Sequence, residues 1–311
     1  MERIDFLRQA IEEADHIIIG AGSGLSTAAG IDYAGEDFQR EFAPWIERYG
    51  ITDQYSSSFY PFETEEEKWA YWAKHIWFSR YRTGATKLYK TLFSRIGELE
   101  NSGKQVFVVT TNVDGQFELA GFPKERIFAT QGDYCYFQPA SGSPKTLINN
   151  REWVMKVLPH IETTRQQDYE TTRQQDNETT SQQDIRIPTE MIPTMPDGSP
   201  VAMNLRVDET FVEDFHWHQQ AKRYTDFVQQ ASQGNLEQGV RSSSSRSLLL
   251  LEFGIGYNTP GIIRLPFEQM AQRFPNTTLV RFNRDNPEPY IQDLPRFIAF
   301  TEDIGSILQQ L

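Results

Sequence analysis

Three short motifs in this chain carry residue types and spacings suited to holding a nucleotide. They are Gly20-Ala21-Gly22-Ser23-Gly24, Thr111-Asn112-Val113-Asp114-Gly115 and Thr130-Gln131-Gly132-Asp133, each following an apolar run. Glycines at a strand-to-helix turn let backbone approach a pyrophosphate, and the start of the helix offers N–H donors. A short amide and a short carboxylate two residues apart, Asn112 and Asp114, suit paired hydrogen bonds to ribose hydroxyls. Both motifs also have plainer readings. The glycines make a tight turn, and a dinucleotide fingerprint would need a third glycine where Leu25 or Thr27 stands. Asn112 and Asp114 equally suit an Asx-turn that caps the next helix.

These motifs need elements to aim them. Ile17-Ile18-Ile19 is a continuous apolar run ending at glycine, the pattern of a buried parallel strand. Further strands are expected at 106–109, 127–129, 248–251, 279–282 and 297–300, with helices at 5–13 and 262–273. Strand–helix alternation points to an α/β fold with a mostly parallel, Rossmann-type sheet covered on both faces. In such sheets ligands bind beyond the carboxyl ends of the strands. Five strand ends there carry polar or glycine-rich residues, the last two leading into Gly254-Ile255-Gly256-Tyr257-Asn258 and Asn283-Arg284-Asp285.

Two stretches interrupt this layout. Residues 31–100 are aromatic-rich and helical in pattern, with Trp69, Trp72, His75, Ile76 and Ser79 on one face; Trp69, Trp72 and Trp77 read most simply as core. Residues 134–238 contain an octapeptide repeated nearly three times between Glu162 and Asp184, too polar to bury a core and read as a solvated insertion. Arg241 to Arg246 reads as a flexible loop. The expected organisation is one catalytic domain over 1–311. Its sheet lobe covers about 1–31, 101–138 and 246–311, with a helical module at 32–100 and a small lobe with the insertion at 139–245.

A net charge of −13 disfavours general nucleic-acid binding, which depends on Lys and Arg neutralising phosphates. No apolar run approaches the roughly 20 residues that span a bilayer. The first residues lack the basic and apolar regions of a secretory signal, and the lone Cys135 permits no internal disulfide. A cytoplasmic protein is expected. Cys135 reads as an inert thiol, and His216 and His218 as surface or packing residues rather than a metal pair.

Taken together, the glycine motif, Thr111-Asn112-Val113-Asp114-Gly115 with Ala120-Gly121, and Asn283 resemble the nucleotide site of a sirtuin. More narrowly, the chain is similar to the class M, macrodomain-linked sirtuins. That likeness rests on Gly20 to Ser26, Asn112 to Phe117, Gln131 to Tyr134, Asn204 to Asp208, Phe211-Val212-Glu213-Asp214 and Trp217-His218-Gln219, and it covers almost everything outside the octapeptide tract. The resemblance implies an NAD-dependent protein ADP-ribosyltransferase acting on a lipoylated carrier akin to the glycine-cleavage H protein. Functional links to a macrodomain hydrolase and a lipoate–protein ligase follow by the same resemblance. No macrodomain is expected within the chain, because the sirtuin-like region accounts for its length.

The implied catalytic residues are Asn112, Asp114 and Gln131. The implied NAD contacts are Gly20, Ala21, Gly22, Ser23, Gly24, Ser26, Tyr33, Thr111, Asn112, Asp114, Gly254, Gly256, Asn283 and Arg284, with Phe211, Val212 and Glu213 on the protein substrate.

The chain departs from deacetylating sirtuins at three places. Gln131 stands where they have their catalytic histidine, and Asp32-Tyr33-Ala34 replaces an Asp-Phe-Arg segment. With one cysteine, a four-cysteine zinc ribbon is impossible, so no zinc is expected and the small lobe must be held by packing alone. Lysine deacylation and a catalytically weak NAD-binding module are the competing functions.

Overall fold

The structure is a computed structural model, and it describes residues 2–161, 185–232, 247–256 and 260–310. The octapeptide tract and the serine-rich 241–246 segment lie outside the described residues, as do Tyr257 and Asn258. The chain divides into two compact units: 1–30, 84–133 and 213–311 form one, 31–83 and 134–212 the other.

The first unit is built on a six-stranded sheet. Its strands are β1 (His16–Ala21), β2 (Gln105–Thr110), β3 (Ile127–Ala129), β7 (Leu248–Phe253), β8 (Thr277–Phe282) and β9 (Phe297–Phe300), in the order β3-β2-β1-β7-β8-β9. All neighbours run parallel, with Ile18 opposite both Phe107 and Leu250. The central strands are buried along their whole length and mostly apolar, because both faces are covered. Ile17, Ile19, Val108, Leu251 and Val280 pack on one face with Leu7, Leu92 and Ile96 from flanking helices. Ile18, Phe107, Val109, Leu250 and Leu279 pack on the other with Phe267 and Ala271. Side chains of this size contribute about 1.5–3 kcal/mol each when fully buried.

The winding direction reverses at one point. From β1 the chain proceeds through β2 to β3 on one side, and from β7 through β8 to β9 on the other. The crevice beyond the carboxyl ends of β1 and β7 is therefore the topological switch point, where ligands of open α/β sheets bind.

Two helices depart from the expected layout. Helix Lys87–Asn101, placed by the sequence reading in a 32–100 module, belongs to the sheet unit and sends Tyr89, Leu92 and Ile96 into its core. Helix Phe215–Ser232, expected in the small lobe, covers the opposite face with Trp217, Ala221, Tyr224 and Val228. Those four recur at helical spacing, a stripe that the neighbouring polar tract disguised.

The second unit joins short helices to a three-stranded sheet ordered β5-β4-β6, from β4 (Gly132–Pro139), β5 (Ile148–Asn149) and β6 (Val201–Leu205). Helix Glu65–Ile76 starts at Thr64, whose hydroxyl accepts from the Glu67 N–H at 3.2 Å. It continues into a π-helical turn at Trp77–Tyr81. Trp69, Trp72, His75, Ile76 and Ser79 are all buried, whereas Trp77 is half-buried with the Lys74 ammonium 4.5 Å from its ring centroid. Trp69, Phe137 and Trp153 meet edge to face at 5.2–5.7 Å.

Packing is not the whole account of this lobe. Gln138 Oε1 accepts from Asn204 Nδ2 at 2.8 Å and from the Val212 N–H at 2.9 Å, while its Nε2 donates to the Thr210 carbonyl at 3.0 Å. This hydrogen-bonded buried amide pair thus ties β4 to β6 and to the following loop. The sequence expectation of packing alone is corrected accordingly.

Candidate functional site

At the switch point the β1 and β7 loops touch backbone to backbone. The Gly22 N–H donates to the Phe253 carbonyl at 3.0 Å, and the Gly24 N–H donates to the Gly254 carbonyl at 3.0 Å. Gly254 has φ +60°, and a Cβ added there would sit 2.5 Å from Gly24 backbone. Added to Gly22 or Gly24, a Cβ would meet Gly254 backbone within 2.9 Å. Gly20 answers a different need: a Cβ there would lie 2.6–2.8 Å from Ile263 and Phe267. Only Ser23 of the glycine motif is exposed.

Beneath the turn is a buried polar network. Ser26 donates to Asp114 Oδ2 at 2.5 Å, and its Oγ lies 3.0 Å from the Tyr89 hydroxyl. Asn112 Nδ2 lies 2.9 Å from the Gly22 carbonyl, 3.2 Å from Ser26 Oγ and 3.2 Å from the Tyr89 hydroxyl. Asp114 Oδ1 accepts from the Gln116 N–H at 3.0 Å, the Asx-turn that the spacing also allowed. The Gln116 side chain in turn accepts from the Thr86 N–H at 2.9 Å, at the start of the helix that carries Tyr89. Burial, reinforced by the Asp114 charge, pushes the Tyr89 phenol well above its ordinary range, so it stays protonated.

Several residues expected at a ligand are sealed instead. Ala21 and Ser26 are fully buried and Asp114 nearly so, because β1, the following helix and the β2 loop close over them. Phe211 and Val212 are buried too. The Phe211 ring lies under the Arg206 guanidinium at 4.3 Å, and both backbone groups of Val212 are engaged by Gln138 and Asn204. Glu213 is half-buried, 3.7 Å from His218 Nε2. Tyr33 belongs to the second unit, where its carbonyl accepts from the Gln54 N–H at 2.9 Å.

Other expected residues stay accessible in part or whole. Thr111 and Gln131 are half-buried, and Gly256 and Arg284 are exposed, Arg284 pairing with Asp285 at 3.2 Å. Asn283 is mostly buried; its Nδ2 donates to the Ile255 carbonyl at 2.8 Å, and its Oδ1 accepts from the N–H groups of Asp285 and Asn286. The β8 loop is thereby fastened to the β7 loop.

Behind these loops sits a cluster that sequence reasoning missed. Arg281 pairs with both Glu252 oxygens at 2.8 and 3.0 Å and with Glu268 at 2.7 Å, all fully buried. Glu268 also accepts from the N–H groups of Tyr290 and Ile291, and Arg264 and Arg281 donate to carbonyls between Asn286 and Glu288. Burial pushes the Glu252 carboxyl up despite Arg281 beside it. A signal existed: each charge interrupts a buried strand, and Glu252 and Arg281 stand opposite in register. Tyr89 left no such mark, because a lone tyrosine in an amphipathic helix looks like ordinary core.

Among the described residues no group of three or more His, Cys, Asp or Glu is placed to hold a metal, and Cys135 is buried.

Comparison with known structures places this architecture. A Sir2 homologue in complex with 2′-O-acetyl ADP-ribose matches with a TM-score of 0.51 and 13% identity, over 100% of this chain and 94% of that one. Sir2 bound to an acetylated peptide matches with a TM-score of 0.50 and 14% identity, over 100% and 97%. The fold is that of a sirtuin. In sequence, the chain is 29% identical over 309 residues to a protein ADP-ribosyltransferase of Staphylococcus aureus, covering 99% of this chain and 86% of that protein. It is 28% identical over 273 residues to a probable bifunctional ADP-ribose hydrolase/ADP-ribosyltransferase of Fusarium oxysporum f. sp. cubense, covering 87% of this chain but 40% of that protein. No protein-family model matches. Within the sirtuin fold, the glycine turn, Asn112 and Asn283 thus gather at the switch point.

Proposed function

We propose that this protein is an NAD-dependent ADP-ribosyltransferase that moves ADP-ribose onto a protein acceptor and releases nicotinamide. The observation that carries the reading is the likeness to a protein ADP-ribosyltransferase along 99% of the chain, joined to a sirtuin fold. In this reading the pyrophosphate of NAD lies along the Gly22–Ser26 turn and the nicotinamide ribose meets Asn112. The adenosine ribose lies by Gly254 and Asn283. Ser26 and Asp114 act from behind Asn112 rather than on the nucleotide, consistent with their burial.

The fit to NAD is supported by what remains unengaged. Asn112 Oδ1 has no hydrogen-bond partner among the described residues and is not sealed from solvent. Ser23 is exposed at the turn. The chemistry asks the protein to hold the departing nicotinamide and the ribose in line with an attacking side chain, so that the anomeric carbon exchanges one bond for another. A lipoylated carrier is the proposed acceptor, reached through half-buried Glu213 and its neighbours. A macrodomain hydrolase and a lipoate–protein ligase are its proposed functional partners, with no zinc involved.

Incubation with NAD labelled in its adenylate phosphate tests the proposal. Label on a lipoylated carrier, with stoichiometric nicotinamide, is the expected result. Label appearing as O-acyl-ADP-ribose, or reversible binding without nicotinamide release, would overturn it.

A further inference from the structure

We propose that Tyr89 is a positioning residue that fixes which face Asn112 shows to the nucleotide. It would do so through a proton-ordered chain running from Asn112 through Tyr89 and Ser26 to Asp114. The inference rests on the reading of this crevice as the NAD site.

The order follows from counting hydrogens. Ser26 donates its single hydroxyl hydrogen to Asp114 Oδ2 at 2.5 Å. Ser26 Oγ is left as an acceptor, and the Tyr89 hydroxyl 3.0 Å away must donate to it. Having spent its only hydrogen, the Tyr89 oxygen is an acceptor as well. Asn112 therefore meets three acceptors, the Gly22 carbonyl, Ser26 Oγ and Tyr89 Oη, at 2.9–3.2 Å. Only its nitrogen can donate to them, with its two hydrogens shared among the three; the flipped amide would set an oxygen against three lone pairs. The nitrogen is locked inward and Oδ1 is left facing outward. What Asn112 offers is then an acceptor, which selects a hydroxyl donor.

Tyr89 suits this role in its mounting. It lies in the first turn of helix Lys87–Asn101, is fully buried, and its ring stands edge to face on Phe117 at 5.0 Å. Its phenol stays protonated throughout the working pH range, so the order of donation does not change with pH.

Tyr89→Phe removes the hydroxyl and keeps the ring. The expected result is kcat for nicotinamide release lower by about 5- to 10-fold, the scale of one net hydrogen bond, with KM for NAD changed less than about twofold. The side-chain amide resonance of Asn112, assigned by ¹⁵N NMR, should also shift. An unchanged kcat with an unmoved resonance would overturn the proposal, and so would a rise in KM alone. Where the variant does not fold, the wild type still decides. Both Asn112 amide hydrogens should exchange slowly with solvent, and one fast-exchanging hydrogen rules out the inward orientation. NAD titration of the wild type separates the two readings. Absence of binding removes the site itself, whereas binding together with a freely exchanging amide removes only this inference.

Discussion

Ser26 and Asp114, 88 positions apart in sequence, share a 2.5 Å hydrogen bond with both side chains buried. An O–H···O bond of that length lies at the short end of the normal range. It welds the helix after β1 to the loop after β2 at the switch point. Because Ser26 spends its one hydrogen there, its oxygen can only accept from Tyr89 and Asn112.

Asp114→Asn should therefore cost more in activity than its shape suggests. An amide at 114 keeps an oxygen for the Gln116 N–H and presents a nitrogen to Ser26, which must then donate toward Tyr89. The chain reverses, and Asn112 is driven to turn an oxygen inward against the Gly22 carbonyl. Nicotinamide release should fall by about 10²-fold, the scale of a misplaced reacting group, while the variant still melts cooperatively. Wild-type turnover in this variant would show that the carboxylate does not order the chain.

Gly254→Ala tests the backbone contact at the crevice. An alanine at φ +60° is strained, and its Cβ would meet Gly24 and Leu25 backbone at 2.5 Å, atoms with no rotamer to yield. A loss of about 2–4 kcal/mol is expected. Gly30→Ala is the control, because φ is +83° there but nothing lies within 4 Å, so only the backbone cost of about 1–2 kcal/mol remains. Equal urea midpoints for the two variants would mean that the β1 and β7 loops do not pack as described.

The sheet was largely legible from the sequence because its strands are short apolar runs ended by glycine or polar residues, and Ile17 to Ile19 needs no partner to be recognised. Asn112 and Asp114 stood out for the same local reason. Legibility stopped where meaning depends on a distant partner. Asp114 finds Ser26, Glu252 finds Arg281, and Gln138 finds Asn204 only once strands and loops are in register. Phe211 and Val212 show the converse: local likeness suggested contact with a substrate, and tertiary packing buries both.

His75 gives a pH dependence of stability. Burial holds its imidazole near a pKa of about 3, against 6.5 when exposed. Tyr71 lies 3.0 Å from Nδ1, and Trp72 and Tyr134 flank the ring, with no carboxylate among these contacts. Between pH 6.5 and 3 the unfolded chain takes up a proton that the native state refuses. This contribution to stability is complete above pH 6.5 and is lost progressively as pH falls, by about 1.4 kcal/mol per pH unit once well below 6.5. Melting temperature should decline with acid over that window, and NMR should show His75 neutral at pH 5. A His75 imidazole that titrates near 6.5 would exclude this source of the decline.

Gln131 bears on which reaction the crevice completes. It lies in the turn between β3 and β4, held by Thr130 bonding to the Thr110 carbonyl at 2.9 and 3.1 Å and by Gly132 at φ +95°. Its half-buried side chain has no hydrogen bond among the described residues. Cleaving the nicotinamide bond requires positioning and electrostatic support for an oxocarbenium-like state, with no proton acceptor on the ribose. Deacylation requires a base to take a ribose hydroxyl proton, the work histidine does near pH 7. A glutamine amide cannot take that proton, though it can hydrogen-bond the ribose or an incoming acceptor. General-base assistance is worth about 10²–10⁴-fold, so deacylation should be very slow while nicotinamide cleavage survives. Gln131→Ala should slow ADP-ribosyl transfer through lost positioning and leave the melting temperature near that of the wild type. Rapid turnover of acetyl-lysine peptides by the wild type, with no labelling of a lipoylated carrier, would mean that another residue supplies the base and that the reaction is deacylation.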